Sequence, residues 1–208
     1  MKTKLNIPTS WEDVTIGQFQ EYTTKQAQST TTEDRVKVTL EILCNIPPDV
    51  INSLSAKDMM RVMQLIQFVE SEPDGNVELQ QKFKMEDIEL GFIPDWRNLT
   101  LGEYVDLETY CVGHDMVSNL HKAMALMYRP ITYKSMHQYE IAPYEPNVIV
   151  QEAMKQVPMQ VAVSAMVFFY NIGKRFATDM QSYLSQQKEK TSQTSSKLNG
   201  DGIGLSMN

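Results

Sequence analysis

The sequence predicts a mainly α-helical fold made of two diverged copies of one three-helix unit. A short β-hairpin separates the copies, and an unstructured C-terminal tail follows them. Three observations carry this prediction. A twelve-residue motif recurs at an offset of 85. Apolar residues follow each copy at helical spacing, and a brief stretch between the copies alternates with period two. The expected boundaries are 7–72 for the first unit, 73–92 for linker and hairpin, 93–185 for the second unit and 186–208 for the tail.

The motif runs Trp-Glu-Asp-Val-Thr-Ile-Gly-Gln-Phe-Gln-Glu-Tyr over 11–22 and Trp-Arg-Asn-Leu-Thr-Leu-Gly-Glu-Tyr-Val-Asp-Leu over 96–107. Trp, Thr and Gly are identical, and nine of the twelve positions match in kind. Each copy follows an Ile-Pro pair, Ile7-Pro8 and Ile93-Pro94. Thr15 with Gln18 and Thr100 with Glu103 have the spacing of capping boxes. The threonine hydroxyl accepts from the backbone N–H three residues on, and the Gln or Glu side chain returns to the cap N–H. Trp11 and Trp96 lie four residues before the caps and can fold back onto the first turn. These six residues therefore read as a helix-start device.

The first helix is expected over about 16–28, broken by Ser29-Thr30-Thr31-Thr32. Thr32 is the expected cap of a second helix, about 33–45, which Pro47-Pro48 ends because proline lacks the N–H of a continuing helix. Ser55 opens a third, whose Met59, Met60, Met63, Ile66 and Val69 form an apolar stripe. After a linker led by Pro73-Asp74-Gly75, Phe83, Met85, Ile88, Leu90 and Phe92 alternate around Glu86-Asp87, the pattern of a hairpin.

In the second unit, helices are expected near 101–112, 117–128, 147–156 and 158–185. Ala123–Pro130 corresponds to Leu40–Pro47, and Pro158–Tyr183 to Ala56–Glu70 in character. Residues 130–146, rich in Tyr and Pro (Tyr133, Tyr139, Tyr144), read as a long loop, either packed over the core or used in binding. From Gln186 the composition cannot bury enough surface to fold alone. A short apolar end at 203–207 could dock on a partner.

Composition limits the function. The formal charge of -7 argues against a broad phosphate-facing surface for nucleic acid, though not against a local basic patch. Val157–Gly173 is apolar but shorter than the ~20 residues of a spanning helix, and it contains Gln160, Ser164 and Asn171. A buried central helix is expected there, with no membrane span. The start of the chain lacks the apolar run of a signal peptide. Cys44 and Cys111, both in apolar helical context, read as buried free thiols of a reducing compartment rather than a disulfide.

Site chemistry is sparse. No phosphate loop, dinucleotide fingerprint or Cys-x-x-Cys pair occurs. Cys111, His114 and His121 do not close a tetrahedral zinc site, nor do they make a supported Cys–His nucleophile. Asp87/Glu89 and Asp106/Glu108 read as solvated charge. Fourteen methionines is a high count. Core filling explains it, but methionine also suits surfaces that accept varied apolar helices. Met59, Met63, Met124 and Met127, with Tyr133 and Tyr139, are the candidate partner-binding residues.

Three stretches, 7–19, 91–108 (Gly-Phe-Ile-Pro-Asp-Trp through Leu-Gly-Glu-Tyr-Val-Asp-Leu-Glu) and 119–130 (Asn-Leu-His-Lys-Ala-Met-Ala-Leu-Met-Tyr-Arg-Pro), together with Phe168-Phe169-Tyr170, resemble proteins encoded among tailed-phage structural genes. The nearest class is the tail assembly chaperones, small acidic helical proteins that coat the apolar tape-measure protein. The resemblance covers about 7–185 and implies no individual functional residue. It implies a non-catalytic protein of the host cytoplasm, without cofactor, whose partner is a phage structural protein; the chaperone reading further predicts self-association. A structural virion component of neck, baseplate or capsid interior and a host-directed regulator are the competing readings, with an enzyme behind them.

Overall fold

The computed structural model describes residues 7–71, 77–111, 115–136 and 138–171. The architecture is mainly α-helical with one small antiparallel sheet. Helix α1 (Ile16–Gln28) starts at the Thr15 capping box and has the expected bounds. Helix α2 (Thr32–Val38) continues into a π turn, Thr39–Leu43. Its cap is Thr31 rather than Thr32, because Thr31 is the hydroxyl three residues before Asp34 and accepts that residue's N–H at 3.0 Å. Asn45, at φ 50°, takes the left-handed conformation that ends the turn.

Pro47-Pro48 does more than stop a helix. Pro48 is the first residue of α3 (Pro48–Ser53), where its missing N–H and fixed φ are no handicap. Helix α4 (Ala56–Leu65) is capped by Ser55 as expected and runs on into a 3₁₀ turn, Gln67–Glu70.

Strands β1 (Lys82–Met85) and β2 (Ile88–Phe92) form the expected hairpin, with Met85 opposite Ile88 and Glu86-Asp87 as its two-residue loop. Glu86 has φ 53°, the positive value such loops require at their first residue. The sheet does not stop there. Residues expected to form a loop supply β3 (Tyr128–Lys134) and β4 (Tyr139–Ile141), giving the order β1-β2-β3-β4. Pro130 lies on the last rung with β2, opposite Leu90, where β3 passes to β4. The missing N–H therefore costs little of the ladder.

A 3₁₀ turn, Trp96–Asn98, precedes α5 (Leu101–Cys111). Helix α6 (Met116–Met127) leads straight into β3. Helix α7 (Val148–Ala153) is followed by a 3₁₀ turn, Met154–Gln156, and residues 159–171 form α8. The expected apolar central helix is therefore present and buried through Val161, Ala162, Val163, Ala165 and Val167. Among the described residues no helix is long and apolar enough to cross a membrane. The expected tail, 186–208, lies outside the described residues.

Two apolar clusters hold the fold. The larger joins β2, α6, the start of β3, Met154 and α8 with Ile16 of α1. The smaller joins Leu40, Cys44, Ile46, Ile51, Val62 and Ile66. Helix α1 thus packs with the second half of the chain. Its entry is tied to residues 157–159 by main-chain bonds, Ile16 N–H to Val157 C=O at 2.9 Å and Met159 N–H to Val14 C=O at 2.7 Å. Gly17 sits against Lys155, whose Cβ and carbonyl oxygen would be 3.1 Å from an added Cβ. Farther along α1, the Gln20 amide donates to the carbonyls of Val117 and Ser118 on α6.

Candidate functional site

The helix-start residues hold both boxes in place. Thr15 accepts the Gln18 N–H at 3.2 Å, and Gln18 Oε1 accepts the Thr15 N–H at 2.9 Å. Thr100 and Glu103 repeat this at 3.2 and 2.7 Å. Each third-position side chain also reaches a residue beyond the next α-helix, in the π turn after α2 and in β3. Gln18 Nε2 donates to Ile42 C=O at 3.4 Å, and Glu103 pairs with Arg129 at 2.8 Å in an enclosed setting. Burial raises the Glu103 carboxyl, but bonds from Thr100 and the charge of Arg129 outweigh it and leave it below the usual range. The tryptophans differ. Trp11 packs edge-on against Phe19 and Phe68, whereas Trp96 is exposed on its 3₁₀ turn.

The candidate partner-binding residues divide three ways. Met59 and Met63 line an open groove of about 770 Å³ between α1, α2 and α4, together with Tyr22, Val36, Met60 and Ile66. Met60, which sequence reasoning placed only in the stripe, is the most exposed of these methionines at 62%. Met124 and Met127 belong elsewhere. Both are enclosed in the larger core and offer no surface to a partner, because α6 is covered by α1, α5 and the sheet. Tyr133 and Tyr139 lie with Trp96 around a second hollow of about 600 Å³. Tyr133 is exposed. Tyr139 is fixed across the sheet, its hydroxyl donating to Phe92 C=O at 2.7 Å and its ring lying over Gly91.

The titratable candidates are dispersed. His121 is buried and contacts Gln20 Nε2 at 2.9 Å, while His114 lies outside the described residues. Cys44 is buried, which pushes its thiol up to about 11. Cys111, expected to be buried, is exposed at the end of α5. Glu89 pairs with Lys134 at 2.7 Å, and Asp106 accepts the Tyr144 hydroxyl at 2.9 Å. Burial, and then the Asp106 carboxylate, push the Tyr144 phenol up. Among the described residues no group of three or more His, Cys, Asp or Glu is placed to hold a metal ion.

Compared with protein-family profiles, curated proteins and solved structures, the chain matches none. Its own geometry is therefore the ground for a functional reading. Sequence periodicity found the methionine stripe but gave no sign that α1 and α2 leave it open on one side.

Proposed function

We propose that the chain is a non-catalytic assembly protein, a tail assembly chaperone of a tailed phage. It holds an apolar helical segment of a structural partner, such as the tape-measure protein, in the groove between α1, α2 and α4. The groove is the observation that carries this reading. Its lining offers Met59, Met60 and Met63, unbranched and polarizable side chains that adapt to different apolar surfaces. An amphipathic helix laid into such a groove anchors through residues about one turn apart. The protein acts in the host cytoplasm and without a cofactor.

The scaffold is a duplicated three-helix unit. The paired capping boxes support this. The junction into the third helix supports it again. Leu54 has φ −66°, ψ 137° and its N–H donates to Ile51 C=O, while Val157 has φ −71°, ψ 139° and its N–H donates to Met154 C=O. Ile51 and Met154 are both buried.

Mass spectrometry of purified virions against lysate of infected cells tests the function. A chaperone is abundant in lysate, co-purifies with a tail protein and is missing from particles. Fixed stoichiometry in particles favours instead a structural virion component, a reading for which the exposed apolar face of α5 (Leu101, Tyr104, Val105) speaks.

A further inference from the structure

The two copies of the helix-start motif have the same surface but not the same cover. Ile16, Gly17 and Gln20 of α1 are covered by α6 and by residues 154–159. At the offset of 85 their counterparts are Leu101, Gly102 and Val105 of α5. Leu101 is 79% exposed where Ile16 is 0%. An added Cβ at Gly102 meets nothing within 4 Å, whereas at Gly17 it meets Lys155. Leu101 N–H and Leu99 C=O, the counterparts of the groups that bond residues 157–159, have no partner among the described residues. Glycine near the start of an exposed helix costs helix propensity, and among the described residues nothing requires it there.

The receiving surface is also present twice. In the second half it consists of Ser118 and His121 on α6 and of Val157–Met159. Its counterparts in the first half are Arg35 and Val38 on α2 and Leu54–Ala56 between α3 and α4. Leu54 C=O and Ala56 N–H match Val157 C=O and Met159 N–H, and neither has a partner among the described residues. Asn52, Ser53, Ser55 and Ala56 are exposed. The residues that would meet have changed together: Gln20 faces His121 within the chain, and Val105 would face Val38.

We infer that the protein self-associates head to tail, the α5 face of one copy docking on the α2–α3–α4 junction of a second copy. This repeats between chains the contact that α1 makes with α6 and residues 154–159 within one. Leu101 N–H then donates to Leu54 C=O of the neighbour, and the neighbour's Ala56 N–H donates to Leu99 C=O. Each copy carries both faces, so the contact is heterologous and propagates into a ring or filament. The inference rests on the duplicated reading of the scaffold, and Arg35 of the receiving surface also lines the methionine groove.

Sedimentation velocity over a range of concentrations tests it with two variants chosen to leave the fold intact. Gly102→Leu fills space that is open in the single chain and improves helix propensity. Ala56→Pro removes one N–H at the first position of α4, where proline is tolerated after the extended Ser55 (φ −69°, ψ 151°). Circular dichroism and thermal melts confirm that both are folded. The wild type should grow with concentration beyond 23.8 kDa, and each variant alone should stay at that mass. An equimolar mixture should give a species of twice the mass and stop there, because only one good α5 face and one good receiving face remain. A wild type that stays monomeric overturns the inference, and so does a mixture that stays monomeric. Association that both variants leave untouched overturns it too by placing the contact elsewhere. The duplicated reading fails separately, if removing the Thr15 and Thr100 caps affects the two halves unlike.

Discussion

The side-chain amide nitrogen of Gln20 lies 2.9 Å from Nδ1 of His121 and so ties α1 to α6 across 101 residues of sequence. The other ring nitrogen, Nε2, lies 3.7 Å from Glu152. Burial lowers the histidine pKa, Lys155 and Lys122 add to this, and Glu152 opposes it. A lowered folded pKa means that the unfolded chain binds the proton first. The contribution to stability is then complete above the ordinary histidine value of 6.5 and is lost as pH falls through the lower folded value. Denaturant melts between pH 7 and pH 5 should show stability declining, and His121→Asn should flatten that decline. An unchanged slope in the variant would assign it to other groups.

Glu103 and Arg129 form an enclosed ion pair, with side chains 8% and 11% exposed. Glu103→Gln keeps a cap acceptor of the kind Gln18 supplies but leaves the guanidinium without its counter-charge. Breaking one side of such a pair costs on the order of 3 kcal/mol. Adding Arg129→Met removes that charge together with the buried Nε, which has no partner among the described residues. The double variant should recover most of the loss in chemical denaturation. Equal destabilisation of single and double variants would mean that the charge pairing is not what matters there.

How much of this was legible in the sequence depended on range. Thr15 and Gln18 are three residues apart, so the start of α1 is written locally, and the alternation around Glu86-Asp87 writes β1 and β2 in the same way. Strands β3 and β4 were not legible. Their pairing joins Tyr128 to Phe92 and Ile131 to Ile141, and Pro130 masks the run. Pro48 reads as a stop in the sequence because a proline after a helix and a proline opening one look alike. The methionine stripes were visible, but which stripe is covered is decided by tertiary neighbours. Met124 and Met63 have the same local pattern and opposite surroundings.

Thr15→Ala and Thr100→Ala should each lower stability by about 1 kcal/mol, the usual loss when a capping hydroxyl is removed. Both hydroxyls make the same bond, at 3.2 Å in each copy. Thermal melts would read the effect. If neither substitution moves the transition, the boxes are decoration on helices that start for other reasons.

Gly91 is needed for the sheet to close on Tyr139. A Cβ there would lie 2.5 Å from Tyr139 Cε2 and 3.0 Å from Ile131 Cγ1, and the tyrosine is held by its bond to Phe92 C=O. Overpacking of this kind costs about 1–3 kcal/mol. Gly91→Ala should therefore destabilise, and Gly91→Ala with Tyr139→Ala should do so less than the two single losses together. Additive losses would show that ring and glycine do not communicate.

Met60→Lys separates partner binding from folding. The side chain lines the groove yet is 62% exposed, so a lysine there reaches water and should leave the melting transition nearly unchanged. With a helix docked, the same charge is trapped against apolar surface, where an unpaired cation is strongly disfavoured. Titration of an apolar amphipathic helical peptide, followed by calorimetry, should give binding to the wild type and a loss of at least about tenfold in the variant, which is ~1.4 kcal/mol. Met63→Lys is the less clean version, because Met63 also packs against the smaller core. Equal affinity of wild type and Met60→Lys would move the partner off this groove and leave the α5 face as the surface to probe.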